Sequence, residues 1–308
     1  MIFTKPQDDE LAEGYWGRIK LLNVSASNRS LGAMLTKYLG LEDPGISKLE
    51  VLARFARQPV AEFVRQHSLI PYLRAVSFRW TENEHGSPAN RHYLRQNAFR
   101  RLLPSLRFCP ACASVEIAKG WSYWKRKHQL PGYDWCSLHR APLIYSLDPR
   151  GGDALPTPDA GNTSHITDHE QALIDHPVIQ RYMRICEGFL SMHAPLNTIF
   201  SSRMLTSRMS ELGLSTNARA GNGGILSDFI FDSVPTNWLG RVIPNIQRKF
   251  PKRHFSLLDN IQFSTASPVA HAVAMATLFP SANEALTRWQ ACIDEFECDA
   301  KRRPADEP

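Results

Sequence analysis

Cys109-Pro-Ala-Cys112 and, 23 residues on, Cys136-Ser-Leu-His139 set three thiols and one imidazole in two pairs of equal spacing. Donors two residues apart can both be presented to one ion by a single tight turn, and a second such pair closes a tetrahedron from the far side. Sulfur with imidazole is a donor set for zinc, and four protein ligands leave no open position for a substrate. The spacing therefore predicts one structural Zn2+ held by Cys109, Cys112, Cys136 and His139. The other cysteines, Cys186, Cys292 and Cys298, are scattered, which argues against a disulfide framework.

Other chemistry lacks its residues. A zinc deaminase needs His-x-Glu upstream of Pro-Cys-x-x-Cys, but Phe108 precedes Cys109 and the chain has no His-x-Glu. His-Glu-x-x-His, the Walker A loop and Gly-x-Ser-x-Gly are missing too. The sequence predicts a protein that is not an enzyme.

Charge is unevenly placed. Net charge is +6 over 308 residues, yet Arg91 to Arg140 alone carries ten Lys or Arg against Glu116 and Asp134, which is +8. Concentrated positive charge is the footprint of a polyanion partner. Arg91, Arg95, Arg100, Arg101, Lys125, Arg126, Lys127 and Arg140 are the candidate nucleic-acid contacts. A second basic stretch (Arg241, Arg248, Lys249, Lys252, Arg253) reads equally well as a solvated face.

Around the ligands, Gly120-Trp-Ser-Tyr-Trp and Gly132-Tyr-Asp-Trp alternate like strands, so Trp121, Tyr123, Trp124, Tyr133 and Trp135 are expected to cover the zinc. His128 falls outside the ligand spacing and is expected at the surface. Toward the N-terminus, Leu11, Tyr15, Ile19 and Leu22 recur at helical spacing. Ser30 is the expected cap of a helix bearing Leu31, Leu35 and Leu39, and Ser47 of one bearing Leu49, Leu52 and Phe55. Gln58-Pro59 breaks that helix before Val60 to His67 resumes. Helix, tight break, helix outlines a helix-turn-helix unit, although a small packed bundle is the more frequent reading of such a pattern.

The predicted fold is mainly α with a small β zinc ribbon. Its expected parts are an N-terminal helical, helix-turn-helix-like domain (1–103), a zinc-ribbon module (104–146), a Gly/Pro-rich linker (147–167), a C-terminal helical domain (168–300) and a charged tail (301–308). Hydrophobic content of 43% with 21% charged residues is that of an ordinary folded protein. No apolar run reaches the length of a membrane span, and MIFTKPQDDE lacks a basic-then-apolar leader, so a cytoplasmic protein is expected.

Phe108-Cys-Pro-Ala-Cys, Tyr123-Trp124, Gly132-Tyr-Asp-Trp-Cys-Ser-Leu-His139 and Pro142-Leu-Ile together resemble the TniQ/TnsD family. These are targeting subunits of cut-and-paste transposons that use an AAA+ ATPase. Leu52-Ala-Arg-Phe-Ala and Val60-Ala-Glu-Phe-Val resemble the family's N-terminal helix-turn-helix, and Pro235-Thr-Asn-Trp its C-terminal helices. The resemblance implies a non-catalytic adaptor for target-site selection that recruits an AAA+ transposition ATPase. The site is read directly on target DNA or through an RNA-guided CRISPR effector of the Cascade type. Many larger relatives carry a second cysteine set where this chain has its Gly/Pro stretch, which favours docking on another targeting complex, as a homodimer. The acidic N-terminal residues (Asp8, Asp9, Glu10, Glu13) and Asp294, Glu295 and Glu297 suit protein partners. The rival reading is a sequence-specific transcription regulator built from the helix-turn-helix and the zinc ribbon.

Overall fold

The computed structural model describes residues 1–77, 84–148, 150–158, 164, 166–215, 224–244, 261 and 267–302, with side chains omitted at 168, 169 and 295–302. Arg248, Lys249, Lys252 and Arg253, the side chains of Glu295 and Glu297, and all but the first two residues of the charged tail lie outside the described residues. The chain forms two compact units, Met1–Pro71 with His85–Ile174, and Tyr72–Glu84 with Asp175–Pro308.

In the first unit, α1 (Ala12–Leu22), α2 (Asn28–Tyr38), α3 (Lys48–Ala56) and α4 (Val60–His67) are followed by a single turn, α5 (Ile70–Leu73). Tyr15, Ile19, Leu31, Leu35, Leu49, Leu52, Phe55, Phe63 and Val64 form its buried core. The periodicities at α1 to α4 are thus the core-facing stripes expected of amphipathic helices. Ser47 caps α3 in a capping box with Glu50. The α2 cap is Ser27 rather than Ser30. Ser30 sits three residues inside as the reciprocal partner of the box, a role that a short hydroxyl fills as Glu does elsewhere. Arg57 ends α3 in the left-handed region at φ 58°, with Gln58 N–H donating to Ala53 O at 2.9 Å. A bulky residue there is costly, and this bond together with Arg57 N–H donating to Arg54 O at 3.1 Å holds it in place.

After β1 (Val76–Ser77) the chain returns with α6 (Arg91–Asn97), β2 (Arg107–Phe108), α7 (Pro110–Ala118), β3 (Ile144–Tyr145) and the short α8 (Asp168–Gln171). β2 and β3 pair antiparallel, Arg107 opposite Tyr145 and Phe108 opposite Ile144. The expected strands at Gly120–Trp124 and Gly132–Trp135 reduce to isolated bridges, Glu10 with Lys125 and Trp135 with Pro142. The aromatic residues still bury, Trp121 excepted, which is 49% exposed. Alternation there marks an inward-facing set of side chains on irregular backbone, and between the two stretches Gln129 and Arg107 donate to the carbonyls of Lys125 and His128.

Part of the Gly/Pro stretch does not behave as a linker. Gly151 to Ala154 pack on α1, where a Cβ on Gly17 would fall 1.9 Å from Gly152 O. Only glycine permits that backbone contact. Trp124 Nε1 donates to Ala154 O at 2.7 Å, and Lys20 meets Asp153 at 2.6 Å.

The second unit is helical. It comprises α9 (Pro177–Ser191), β4 (Leu196–Asn197), α10 (Thr198–Glu211), α11 (Leu226–Ser233), α12 (Thr236–Val242), α13 (Pro268–Leu278) and α14 (Ala282–Arg302). β1 pairs with β4 in parallel. α13 is buried from Ala270 to Leu278, and its alanines let α9, α10, α11 and α14 approach it from several sides. Arg181 and Arg208 donate to Ala276 O and Leu278 O at 2.7 and 2.8 Å, satisfying carbonyls that the end of α13 leaves without helical partners. Among the described residues, no helix is long and apolar enough to cross a membrane.

Candidate metal centre

The first knuckle is a helix start. Cys109 stands at the N-cap of α7, Pro110 takes the first helical position, and Cys112 lies one turn in. The second knuckle is a closed turn between two backbone crossings. Leu143 N–H donates to Asp134 O, and Cys136 N–H to Ala141 O. Arg140 N–H returns to Cys136 O at 2.8 Å, with Arg140 left-handed at φ 54°. That turn aims Cys136 and His139 the same way.

The four donors meet. Cys112 Sγ is 3.7 Å from Cys136 Sγ, and His139 Nδ1 is 3.5, 3.3 and 3.7 Å from the sulfurs of Cys109, Cys112 and Cys136. All four ligand atoms lie within 4.8 Å of one another. Ligands at zinc bond lengths in a tetrahedron stand about 3.5–3.8 Å apart along its edges. Van der Waals packing of thiols would not require this agreement, so the donor set fits one tetrahedral ion. The three cysteines are buried and His139 is the more exposed ligand. Hydrogen bonds from Cys109 and Cys112 hold the Cys136 thiol well below its usual range, while the bonds Cys112 makes to Cys109 and Cys136 push its own thiol up.

Two residues beside the cluster went unrecognised as such in the sequence. His128, expected at the surface, is 1% exposed. Burial pushes its imidazole below the ordinary range. Its carbonyl accepts from Arg107 Nε at 3.0 Å, which draws the residue inward. Lys125, expected at a nucleic-acid face, has Tyr123 at 5.1 Å, Glu116 at 3.8 Å and Cys112 within electrostatic reach. Only its surroundings in space reveal this, because neither residue obeys a ligand spacing.

The basic candidates do not share one environment. Arg126 is buried, bonded to Asp9 at 3.1 Å and to the Arg65 and Ser68 carbonyls. Arg101 clasps Glu13, and Arg91 clasps Asp43 and Glu50. With Lys125 on Glu116, at least four of the eight are engaged by carboxylates. Arg100 bonds Asn97, Lys127 takes Asp9 on its backbone N–H, and Arg95 and Arg140 stand at the surface. Asp9 and Glu13, from the acidic N-terminal residues, are the other half of two of these pairs, and Glu10 is buried in a two-toothed bond with Arg18 at 2.6 and 2.9 Å. So the segment 9–11 is an edge of the metal module: Leu11 N–H donates to Trp124 O and Arg126 N–H to Asp9 O.

The helix-turn-helix outline is present in α3 and α4, but α4 is covered. Gly86 seats its backbone on Ala61, and Arg126 binds the Arg65 carbonyl.

No curated protein matches the chain. Residues 1–143 match the profile of the TniQ family, from the N-terminal segment through α1 to α7 and both knuckles. Residues 1–143 thus carry a TniQ domain, closed around a Cys3His cluster.

Proposed function

We propose that the chain is a non-catalytic adaptor for target-site selection in DNA transposition. It links a DNA-bound targeting complex, of the RNA-guided CRISPR kind, to an AAA+ transposition ATPase. The match of residues 1–143 to the TniQ family carries this reading. A metal site with four protein ligands supports it, since such a site has no open position for a reacting group. The ion is zinc, one per chain and structural: Cys109, Cys112, Cys136 and His139 hold it, and it supplies cross-linking rather than Lewis-acid chemistry.

A regulator that reads bases alone needs an open recognition helix. The packing of Gly86 and Arg126 on α4 weighs against that role, as do the carboxylates that engage four basic candidates. Docking on another complex needs no such helix. Two modest contacts in one chain suffice, because the second binding step becomes intramolecular. A homodimer would double them. Reconstitution with the ATPase and effector encoded beside the gene tests the proposal. Omitting the chain abolishes targeted insertion and leaves effector–DNA binding intact, and the purified chain shows no nuclease or nucleotidase activity. Insertion that stays on target without it, or DNA cleavage by it alone, overturns the adaptor.

A further inference from the structure

Helix α1 ends in a turn that glycine usually occupies. Val24 N–H donates to Leu21 O at 3.2 Å and Ser25 N–H to Lys20 O at 3.0 Å, the two bonds of a Schellman motif, with Val24 left-handed at φ 50°. A β-branched side chain is a steric outlier in that region. It gains nothing from the protein in return, since Val24 is 90% exposed. Strain kept at an exposed apolar residue points to a contact with another molecule.

Val24 does not stand alone. The Asn23 side chain holds both backbone groups of Ile2, accepting from its N–H at 2.7 Å and donating to its carbonyl at 3.2 Å, which fixes Ile2 beside the turn. Phe3 follows with its ring 5.4 Å from that of Phe55, and the Tyr38 ring lies 6.3 Å from the same Phe55. Ile2, Phe3, Leu21 and Tyr38 are exposed as well. Single exposed apolar side chains need no explanation, whereas a contiguous set marks a binding surface. Arg57 lies over the Phe3 ring at 5.1 Å, with Arg54 three residues before it in α3. Among the described residues neither arginine meets a carboxylate, in contrast to Arg91, Arg101 and Arg126.

We propose that this strip docks an acidic amphipathic segment of another protein. The segment's apolar side chains cover Ile2, Leu21 and Val24, and its carboxylates meet Arg54 and Arg57. Branched aliphatic side chains offer no flat face for a base, and two cations release few counterions, so the chemistry favours a peptide over a nucleic-acid strand. The apolar part supplies affinity, while the arginines set orientation and partner choice. The N-terminal acids expected to face partners are instead held within the chain, Asp9, Glu10 and Glu13 in ion pairs. The proposal goes beyond the adaptor reading and does not rest on it.

The test uses the full chain as bait for a display library of short amphipathic helices, with Glu or Lys drawn at random beside a Leu/Phe stripe. Enrichment of Glu is expected, and salt should weaken the enriched peptide's binding. Val24→Gly suits the turn, so the thermal midpoint holds or rises while peptide binding weakens about 10-fold. A merely structural valine would lose both together. Arg57→Glu weakens binding by about 10-fold and turns the preference toward Lys-flanked peptides. Val115→Ser, at an exposed apolar residue of α7 outside the strip, leaves binding unchanged. A library that enriches no peptide, or enriches Lys, overturns the proposal. So do peptides that bind Val24→Gly and Arg57→Glu as tightly as the wild type. Two further results reassign the strip and so overturn it too: a single-stranded oligonucleotide that both substitutions release, or a homodimer that both dissociate, with no peptide captured. None of these readouts uses the ATPase or insertion, so the adaptor reading fails or stands separately.

Discussion

The two units bury different things. The first encloses charge: Glu10 with Arg18, Arg107 with Asp134, Arg126 with Asp9, the imidazoles of His67 and His128, and three cysteine sulfurs. The second centres on α13, a helix of small apolar residues that also buries His271, with Phe189 and Trp289 tilted against each other at 4.8 Å and Tyr182 and Trp238 edge-on at 5.0 Å. Apolar packing is non-directional and tolerates exchange, whereas buried ions and metal ligands are satisfied in one geometry only. The first unit should therefore be specified by a few polar groups that fail sharply, and the second by many contacts that fail gradually. Two units need not unfold together, so hydrogen exchange read separately over each is the suitable probe.

Metal removal is the largest blow to that contrast. A closed thiolate–imidazole site contributes on the order of 10 kcal/mol of apparent binding energy to folding. Cys136→Ala or a strong chelator should lose protection around residues 105–145 while α9, α13 and α14 keep theirs. Equal loss in both units would erase the distinction.

Next come matched substitutions, one per unit. Arg107→Leu strands Asp134 and the His128 and Leu130 carbonyls, and should cost about 3–5 kcal/mol in the first unit. Trp289→Ala leaves a cavity against Phe189 and should cost about as much, 3–5 kcal/mol, in the second. The contrast lies in rescue. Trp289→Phe should recover much of its loss, whereas Arg107→Lys, unable to reach three partners at once, should recover little. Similar recovery at both sites would break the comparison.

Acid should act on the first unit through His67. Burial pulls its imidazole from the ordinary 6.5 down to about 4, against the opposing bond between Nδ1 and Glu10 O at 3.0 Å. The unfolded chain takes up the proton first as pH falls. The stabilisation is thus complete above about pH 6.5 and lost by about pH 4, an effect of ~3 kcal/mol. Denaturant midpoints measured across that range should fall in the wild type and flatten in His67→Gln. A wild-type midpoint independent of pH there would remove His67 from the account.

The smallest expected effect is in the second unit. A Cβ on Gly188 would stand 2.5 Å from the Leu286 methyl, the flexible end of a side chain. Gly188→Ala should cost only about 1 kcal/mol, because the leucine can turn aside and alanine favours the helix. A loss several times larger would show the second unit to be as exacting as the first.

Much of this was legible in the chain itself. The paired Cys-x-x-Cys and Cys-x-x-His spacings identify the ligands because a knuckle is a local turn. The cap at Ser47 and the break at Pro59 are likewise local. What the sequence could not show is long-range. Arg126 finds Asp9 117 positions away, and the +8 stretch is partly neutralised by acids near the N-terminus. His128 is drawn inward by Arg107, 21 positions off, and Gly17 matters only because Gly152 arrives on top of it. Strand-like alternation misled at Trp124 and Trp135 because burial, not pairing, set their pattern. The helix at α7 did carry a signal, Pro110 followed by good helix formers, which the cysteine spacing masked.

The account rests above all on one metal organising the first unit. Native mass spectrometry of the full chain, before and after chelation, addresses it most directly. One zinc per chain is expected, absent from Cys136→Ala, with the second unit still protected in both. A chain that carries no metal, or two, or that keeps residues 105–145 ordered once the metal is gone, would contradict it.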